Sequence, residues 1–221
     1  MVPPFFFFRG GEPREEYRTV KSEACGFLEV KRSKFYGYAC PVTTRQEADA
    51  FVEKIRTRHW DARHNVPAFI LREGNLQHFS DDGEPSGTAG RPVLDVLQGA
   101  QVTNVCVVIT RYFGGVLLGT GGLVRAYSES ARLALEEAEI VTMRLMARCS
   151  LHLDYGLYGR LPAMIAEQGG VLEDTEFGED VAARLLLPTD NVDQFNRQLQ
   201  EYSSGKYAAE VLEEEFCPVE N

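Results

Sequence analysis

Two stretches of the chain combine glycines with charged side chains, and both are suited to binding anions. Residues 81–92 read Asp-Asp-Gly-Glu-Pro-Ser-Gly-Thr-Ala-Gly-Arg-Pro, and residues 111–122 read Arg-Tyr-Phe-Gly-Gly-Val-Leu-Leu-Gly-Thr-Gly-Gly. We call them the acidic loop and the glycine loop. Each leads into a predicted helix, whose free N–H groups and positive dipole end favour anions. The glycines let the main chain approach a phosphate without Cβ clashes.

The predicted anion-binding residues lie in these loops, with one residue before them and one after. They are His64, Ser86, Thr88, Arg91, Arg111, Tyr112, Gly114, Gly115, Gly121, Gly122 and Arg125. Arg125 is in the first turn of a helix, where the dipole does not favour a cation, so a binding role is favoured over a solvated arginine. For His64, a structural hydrogen bond at a strand entrance and a binding role stay equally open. We expect the loops to converge on one cleft surrounded by Arg91, Arg111 and Arg125.

Three carboxylates of the acidic loop, Asp81, Asp82 and Glu84, could bind a divalent cation or act in acid–base chemistry. The loop lacks the Asp/Asn-rich pattern of an EF-hand, and its glycines and proline indicate a specialised turn, so a structural or anion-loop role is favoured over metal. Bare carboxylates would repel a bound anion. The carboxylates are compatible with an anion site if they pair with the arginines, or if a cation bridges them to the phosphate. The competing interpretation is that the arginines only neutralise the acidic loop and pin the two loops together.

The sequence favours binding over catalysis, and it predicts no cofactor. The glycine loop has neither the Gly-Lys-Ser/Thr ending of a P-loop nor the spacing of a dinucleotide-binding turn. We find no H-E-x-x-H helix, no G-x-S-x-G elbow and no nucleophile–base pair. An enzyme acting on a nucleotide or phosphorylated small molecule through Asp81, Asp82 or Glu84 stays as the alternative.

The charge is unevenly distributed along the 221 residues. The net charge is −10, of which residues 1–140, with 17 Lys/Arg and 18 Asp/Glu, contribute −1 and residues 141–221, with 6 and 15, contribute −9. The net negative charge of the whole chain argues against a protein that coats nucleic acid non-specifically, because such binding depends mainly on neutralising phosphates. A nearly neutral first part can still hold a basic groove. The basic turn at residues 31–34, Lys-Arg-Ser-Lys, is interpreted as a solvated hairpin tip rather than a phosphate contact.

The cysteines and the hydropathy favour a cytoplasmic protein. The 5 cysteines are scattered and form no C-x-x-C pair, which argues against a disulfide framework or a zinc site. No stretch reaches the roughly 18 apolar residues of a membrane span, so no membrane partner is expected.

The hydrophobic pattern predicts two domains after a disordered extension at residues 1–13, whose phenylalanines could alternatively dock on a partner. Residues 14–140 form the first domain, and a helix beginning at Thr43 or Thr44 shows one apolar face. Residues 144–221 form the second domain, whose βαββαβ order is the ferredoxin-like plan. In the first domain, the predicted strands cover residues 17–30, 35–40, 68–71 and 102–110. The predicted helices cover residues 44–58, 93–100 and 123–138. Ser86 or Thr88 is the predicted cap of the second helix.

The acidic loop and residues 111–127 resemble the signature of the YigZ/IMPACT family of small cytosolic proteins. The resemblance covers residues 17 to 221. It implies an α+β fold of two domains: an N-terminal α/β sandwich similar to domain IV of elongation factor G, and a ferredoxin-like C-terminal domain. Many members place a lysine at the position of Leu117, and its absence weakens a phosphate clamp there.

The resemblance also implies a link to translation, because eukaryotic members are linked to control of translation initiation. Those members carry an extra N-terminal domain for which this chain has no room, so their partner is not transferred. We expect a translation-linked regulatory protein whose first domain binds RNA or a ribosome-associated factor. The acidic second domain could contact a basic protein.

Overall fold

A computed structural model describes residues 16–219 and, by backbone alone, residues 6–7. The chain divides into two compact units, the first at Tyr17–Thr142 and the second at Met143–Val219 together with the strand β1, Phe6–Phe7. The two-domain α+β fold predicted from the sequence is confirmed. The disordered extension expected at residues 1–13 lies outside the described residues except at β1, where the backbone is a paired strand instead.

The first unit is built on a five-stranded antiparallel sheet. After β2, Tyr17–Val20, its strands are β3 Ala24–Val30, β4 Ser33–Pro41, β5 His64–Leu71, β6 Leu76–Phe79 and β7 Val105–Tyr112. Their order across the sheet is β3-β4-β7-β5-β6, which makes β3 an edge strand.

Helices cover both faces of this sheet. They are α1 Arg45–Arg58, α2 Gly90–Gly99 and α3 Thr120–Glu137. Because side chains alternate along a strand, Phe35 and Ala39 of β4 pack with α2 and α3, whereas Tyr38 packs with α1. Of the two predicted caps, Thr43 and Thr44, it is Thr44 that caps α1, and it does so through a capping box with Glu47.

The second unit is ferredoxin-like, with the predicted βαββαβ order. It comprises β8 Ile140–Leu153, α4 Tyr155–Tyr158, α5 Leu161–Glu167, β9 Val171–Phe177, β10 Val181–Pro188, α6 Val192–Ser203 and β11 Glu210–Val219. The strand order is β11-β8-β10-β9, and β1 pairs with the outer edge of β11. Ile165 of α5 and Phe195 of α6 are buried in one cluster with Leu151 and Leu185 of the sheet.

Several predicted elements have different bounds in the structure. The strand predicted at residues 17–30 is divided, because the Lys21 N–H donates to the carbonyl oxygens of Ala138 and Glu139. Strand β5 begins at His64 rather than residue 68, and it includes Pro67. The first helix of the βαββαβ order is two short helices: α4 ends at Tyr158 with Gly159 as its C-cap, and α5 begins at Leu161 with Pro162 in its first turn.

Candidate functional site

The first carboxylate of the acidic loop caps helix α2. Asp81 Oδ1 accepts hydrogen bonds from the N–H groups of Ala89 at 3.1 Å and Gly90 at 2.9 Å, and Oδ2 accepts from the Gly87 N–H at 2.8 Å. The prediction that Ser86 or Thr88 is the cap is wrong, because the Thr88 hydroxyl donates to the Pro85 carbonyl oxygen instead. The carboxylate of Asp81 therefore occupies the position at which α2 would receive an external anion.

The second carboxylate ties the acidic loop to the start of β5. Asp82 Oδ2 accepts from the Asn65 N–H at 2.6 Å, and Oδ1 accepts from Arg56 Nη2 at 3.2 Å. The Asp82 carbonyl oxygen accepts from His64 Nδ1 at 2.8 Å, which places the proton of a neutral His64 on Nδ1. His64 thus makes the structural hydrogen bond at a strand entrance that the sequence left open.

The third carboxylate is buried and joins the two loops. Glu84 Oε1 accepts from Arg111 Nη1 at 2.6 Å and from the Tyr127 hydroxyl at 2.8 Å. His64 Nε2 lies 3.8 Å from the same oxygen. The side chains of Glu84 and Arg111 are only 4% and 7% exposed. Burial, followed by the nearby Glu84 charge, raises the pKa of Tyr127, so its hydroxyl stays a donor.

The glycine loop packs against the basic turn at residues 31–34. The Gly114 N–H donates to the buried Ser33 Oγ at 3.1 Å. A Cβ on Gly114 would lie 2.0 Å from the Arg32 carbonyl carbon, so only glycine fits there. Gly115 has a left-handed backbone, with φ of 81°, and Leu117 projects into solvent with 82% of its surface exposed. The close contact at Gly114 and the left-handed backbone at Gly115 therefore account for glycine at both positions without a bound ligand.

Helix α3 begins without a side-chain cap, unlike α2. Its N-cap residue is Gly119, and Gly121 in its first turn is exposed. A groove of about 500 Å³ runs beside this end of α3, between the helix and edge strand β3. We call it the basic groove; its charged and glycine lining consists of Lys31, Gly122, Arg125, Glu129 and Arg132. Glu129 pairs with Arg132, and within residues 16–219 no carboxylate forms an ion pair with Lys31 or Arg125.

The three arginines expected around one cleft lie in three different environments. Arg111 is buried against Glu84, and Arg125 lines the basic groove. Arg91 pairs with Asp95 on the exposed side of α2 at 2.8 Å and lines a second groove, between α2 and α3, which adjoins the basic groove at Arg132. For Arg111, the geometry matches the pinning interpretation. The remaining candidates in the acidic loop and β7 do not line the basic groove: Ser86 is exposed, the Thr88 hydroxyl donates to the Pro85 carbonyl oxygen, and the Tyr112 hydroxyl donates to Asp61.

Two basic side chains of the basic groove, Lys31 and Arg132, were not among the predicted site residues. Lys31 belongs to the basic turn, which the sequence analysis interpreted as a solvated hairpin tip. Arg132 lies two helical turns after Arg125, so a seven-residue spacing on one helix face was the available signal.

The carboxylates of the acidic loop accept hydrogen bonds from different parts of the first unit. Among residues 16–219, no group of three His, Cys, Asp or Glu side chains has an arrangement suited to a metal ion. The metal site at Asp81, Asp82 and Glu84 stays a prediction. No helix in that same part of the chain has the length and apolar character needed to cross a membrane.

Comparison with known proteins identifies the family. Residues 31–135 match the Impact N-terminal domain, and residues 151–206 match a domain of unknown function, DUF1949. The IMPACT family member YvyE of Bacillus subtilis is 36% identical over 191 residues, which cover 86% of this chain and 88% of that protein. The chain belongs to the IMPACT family.

Two further comparisons also cover most of the chain. The family member YigZ of Escherichia coli is 34% identical over 189 residues, covering 84% of this chain and 93% of that protein. A crystal structure of a hypothetical protein is 32% identical with a TM-score of 0.58, and the match covers 90% of this chain and 98% of that one. The Impact N-terminal match includes both loops, the basic turn and most of α3.

Proposed function

We propose that this protein is a translation-linked regulator whose first unit binds RNA, in solution or exposed on a ribosome-associated surface. The observation that carries the proposal is the basic groove beside the uncapped end of α3, where Lys31 and Arg125 have no carboxylate partner among residues 16–219. Backbone N–H groups and cations can together hold phosphate oxygens there. The link to translation rests on membership of the IMPACT family. Such a role places the protein in the cytoplasm.

The charge distribution supports a binding surface confined to the first unit. Residues 17–142 hold 15 Lys/Arg and 15 Asp/Glu, so the unit is neutral and a local cluster of cations is not opposed by a net negative charge. Within the unit, the acidic loop directs its three carboxylates to protein donors. Arg56 and Arg111 thereby offset the charges of Asp82 and Glu84 within the protein.

The geometry gives less support to an enzyme of nucleotides or phosphorylated small molecules. That function needs Asp81, Asp82 or Glu84 as a base or metal ligand, and each has two or more hydrogen bonds from the protein. Glu84 is also buried. An enzymatic role would require some of these hydrogen bonds to break, whereas phosphate binding in the basic groove leaves them in place.

Fluorescence anisotropy with a short single-stranded RNA at several salt concentrations tests the proposal. Arg125→Ala and Lys31→Ala should each weaken binding and reduce the slope of log affinity against log salt by about 0.7, as expected for one lost phosphate contact. Arg91→Ala is the matched control, because Arg91 is equally exposed on a neighbouring helix and already paired with Asp95. The proposal fails if the wild-type protein does not bind RNA, or if the two groove variants behave like Arg91→Ala.

A further inference from the structure

Aromatic side chains form a cluster on the α1 side of the first unit's sheet. Phe27 of β3 is paired in register with Tyr36 of β4, and their ring centroids are 5.1 Å apart. Tyr36 is stacked on His59 at 5.6 Å and meets Tyr112 edge-on at 6.1 Å. We call Phe27, Tyr36, His59 and Tyr112 the aromatic platform. Phe27 is 51% exposed, and the other three are partly exposed, so α1 leaves this part of the sheet accessible.

A chain of hydrogen bonds fixes the orientation of two of these rings, Tyr112 and His59. The Tyr112 hydroxyl donates to Asp61 Oδ1 at 2.8 Å, so its oxygen accepts from His59 Nδ1 at 2.9 Å. His59 Nε2 then accepts from the hydroxyl of Tyr38, buried beside the platform, at 2.7 Å. Tyr36 packs against the fixed His59 and Tyr112 rings, and Phe27 packs against Tyr36. Because neighbouring rings restrict Tyr36, a ligand that stacks on it loses little side-chain entropy on binding.

The charges around the aromatic platform favour a polyanion. Lys34 precedes Tyr36 by two residues on the same face of β4, and it belongs to the basic turn with Lys31 and Arg32. The Arg58 guanidinium lies 5.6 Å from the centre of the Tyr38 ring. The carboxylates nearest the platform include Glu29, opposite Lys34 in the register, and Asp61, which accepts the Tyr112 hydrogen bond. Glu23, just before β3, is paired with Lys54 of α1.

We infer that the aromatic platform is a second RNA contact, on which unpaired bases of a single strand stack. The inference rests on the proposed RNA-binding function and adds the form of RNA that is recognised. Bases in a duplex are already stacked on each other, whereas the splayed bases of a single strand can stack on Phe27 and Tyr36.

The platform and the basic groove lie on opposite faces of one hairpin. Leu28 and Val30 of β3 line the groove, whereas Phe27 in the same strand carries the platform. The basic turn closes this hairpin and contributes Lys31 to the groove and Lys34 to the platform side. A single strand can therefore place its phosphates in the groove and its bases on the platform by passing around the edge of the sheet.

The test compares a short oligouridylate with the same oligomer in which abasic residues replace the bases. Phe27→Ala should weaken binding of the intact oligomer by about 5- to 100-fold, the effect of one lost stacked base. It should leave binding of the abasic oligomer and the salt dependence unchanged. Phe27→Tyr should restore the wild-type affinity. Phe79→Ala, at the opposite edge of the sheet with Phe79 39% exposed, is the matched control and should have no effect.

The outcomes separate this inference from the proposed function. If Phe27→Ala and wild type bind the intact oligomer equally, while Arg125→Ala weakens binding of both oligomers, the platform is not an RNA contact and a protein becomes the occupant to consider. The RNA-binding proposal stands in that case. If the wild-type protein binds neither oligomer, both fail. A melting temperature equal to that of the wild-type protein shows, for each variant, that weaker binding is not caused by misfolding.

Discussion

Glu84 and Arg111 form a buried ion pair that connects the acidic loop to the end of β7, with Arg111 Nη1 2.6 Å from Glu84 Oε1. Removing one member leaves the other charge buried without its partner. We expect Glu84→Ala to lower the free energy of unfolding by about 3–5 kcal/mol. Urea denaturation measures this loss. The double variant Glu84→Gln/Arg111→Met should be more stable than Glu84→Ala, and a loss near zero for Glu84→Ala would contradict a pinning role.

Asp81 should contribute to stability as the cap of α2. Asp81→Ala leaves three N–H groups of the acidic loop and α2 without their acceptor. The expected loss is about 1–2 kcal/mol in the free energy of unfolding. Asp95→Ala serves as the control, since it removes only the exposed pair with Arg91, for which about 0–1 kcal/mol is expected. Equal losses for the two variants would count against the capping role.

Gly114 should not tolerate a side chain, whereas Gly121 should. In Gly114→Ala the new Cβ would overlap the backbone of Arg32, and the glycine loop must move away from the basic turn. We expect a loss of about 1–3 kcal/mol or more. Gly121→Ala meets no atom within 4 Å and lies in helix α3, so it should be neutral or stabilise the protein by about 0.5–1 kcal/mol. Thermal unfolding of both variants checks the difference, and similar melting temperatures would refute it.

The stability of the first unit should depend on the neutral form of His59. Burial and the neighbouring Arg58 lower the pKa of His59, although Asp61 opposes this. The folded state therefore binds fewer protons than the unfolded state below about pH 6.5. This contribution to stability is complete above that pH and is lost as the pH falls through the lowered pKa.

Two measurements check the His59 prediction. An NMR titration of its ring should give a midpoint below about 6.5, and His59→Asn should flatten the fall of melting temperature on acidification. His78, whose pKa is also lowered by burial and then by Arg45, contributes a slope of the same sign and is the residue to change as a control. A His59 midpoint above that of a model peptide would overturn the assignment.

We propose that the second unit folds separately and does not bind nucleic acid by itself. Residues 143–221 hold 6 Lys/Arg and 15 Asp/Glu, so they repel a polyanion. A purified fragment of these residues should unfold cooperatively and show no RNA affinity at physiological salt. Its acidic end, including Glu213, is instead the surface on which a basic protein could bind. RNA binding by a cooperatively folding fragment would show that the net charge is not decisive.

The sequence by itself determined the features that depend on neighbours within a few residues. The capping box of Thr44 and Glu47 and the βαββαβ order of the second unit follow from local spacing and periodicity. Local patterns carry this information because a helix cap or an apolar face is formed by residues one turn or one pleat apart.

Only the tertiary structure decided what the charged residues contact. Glu84 and Arg111 are 27 residues apart, and the rings of Phe27, Tyr36, His59 and Tyr112 come from three strands and the end of a helix. Strand order brings these residues together, and the sequence does not display that order. For the same reason, Asp81 rather than Ser86 or Thr88 caps α2: the acceptor comes from the far end of a folded loop, and a cap predicted from sequence is sought next to the helix.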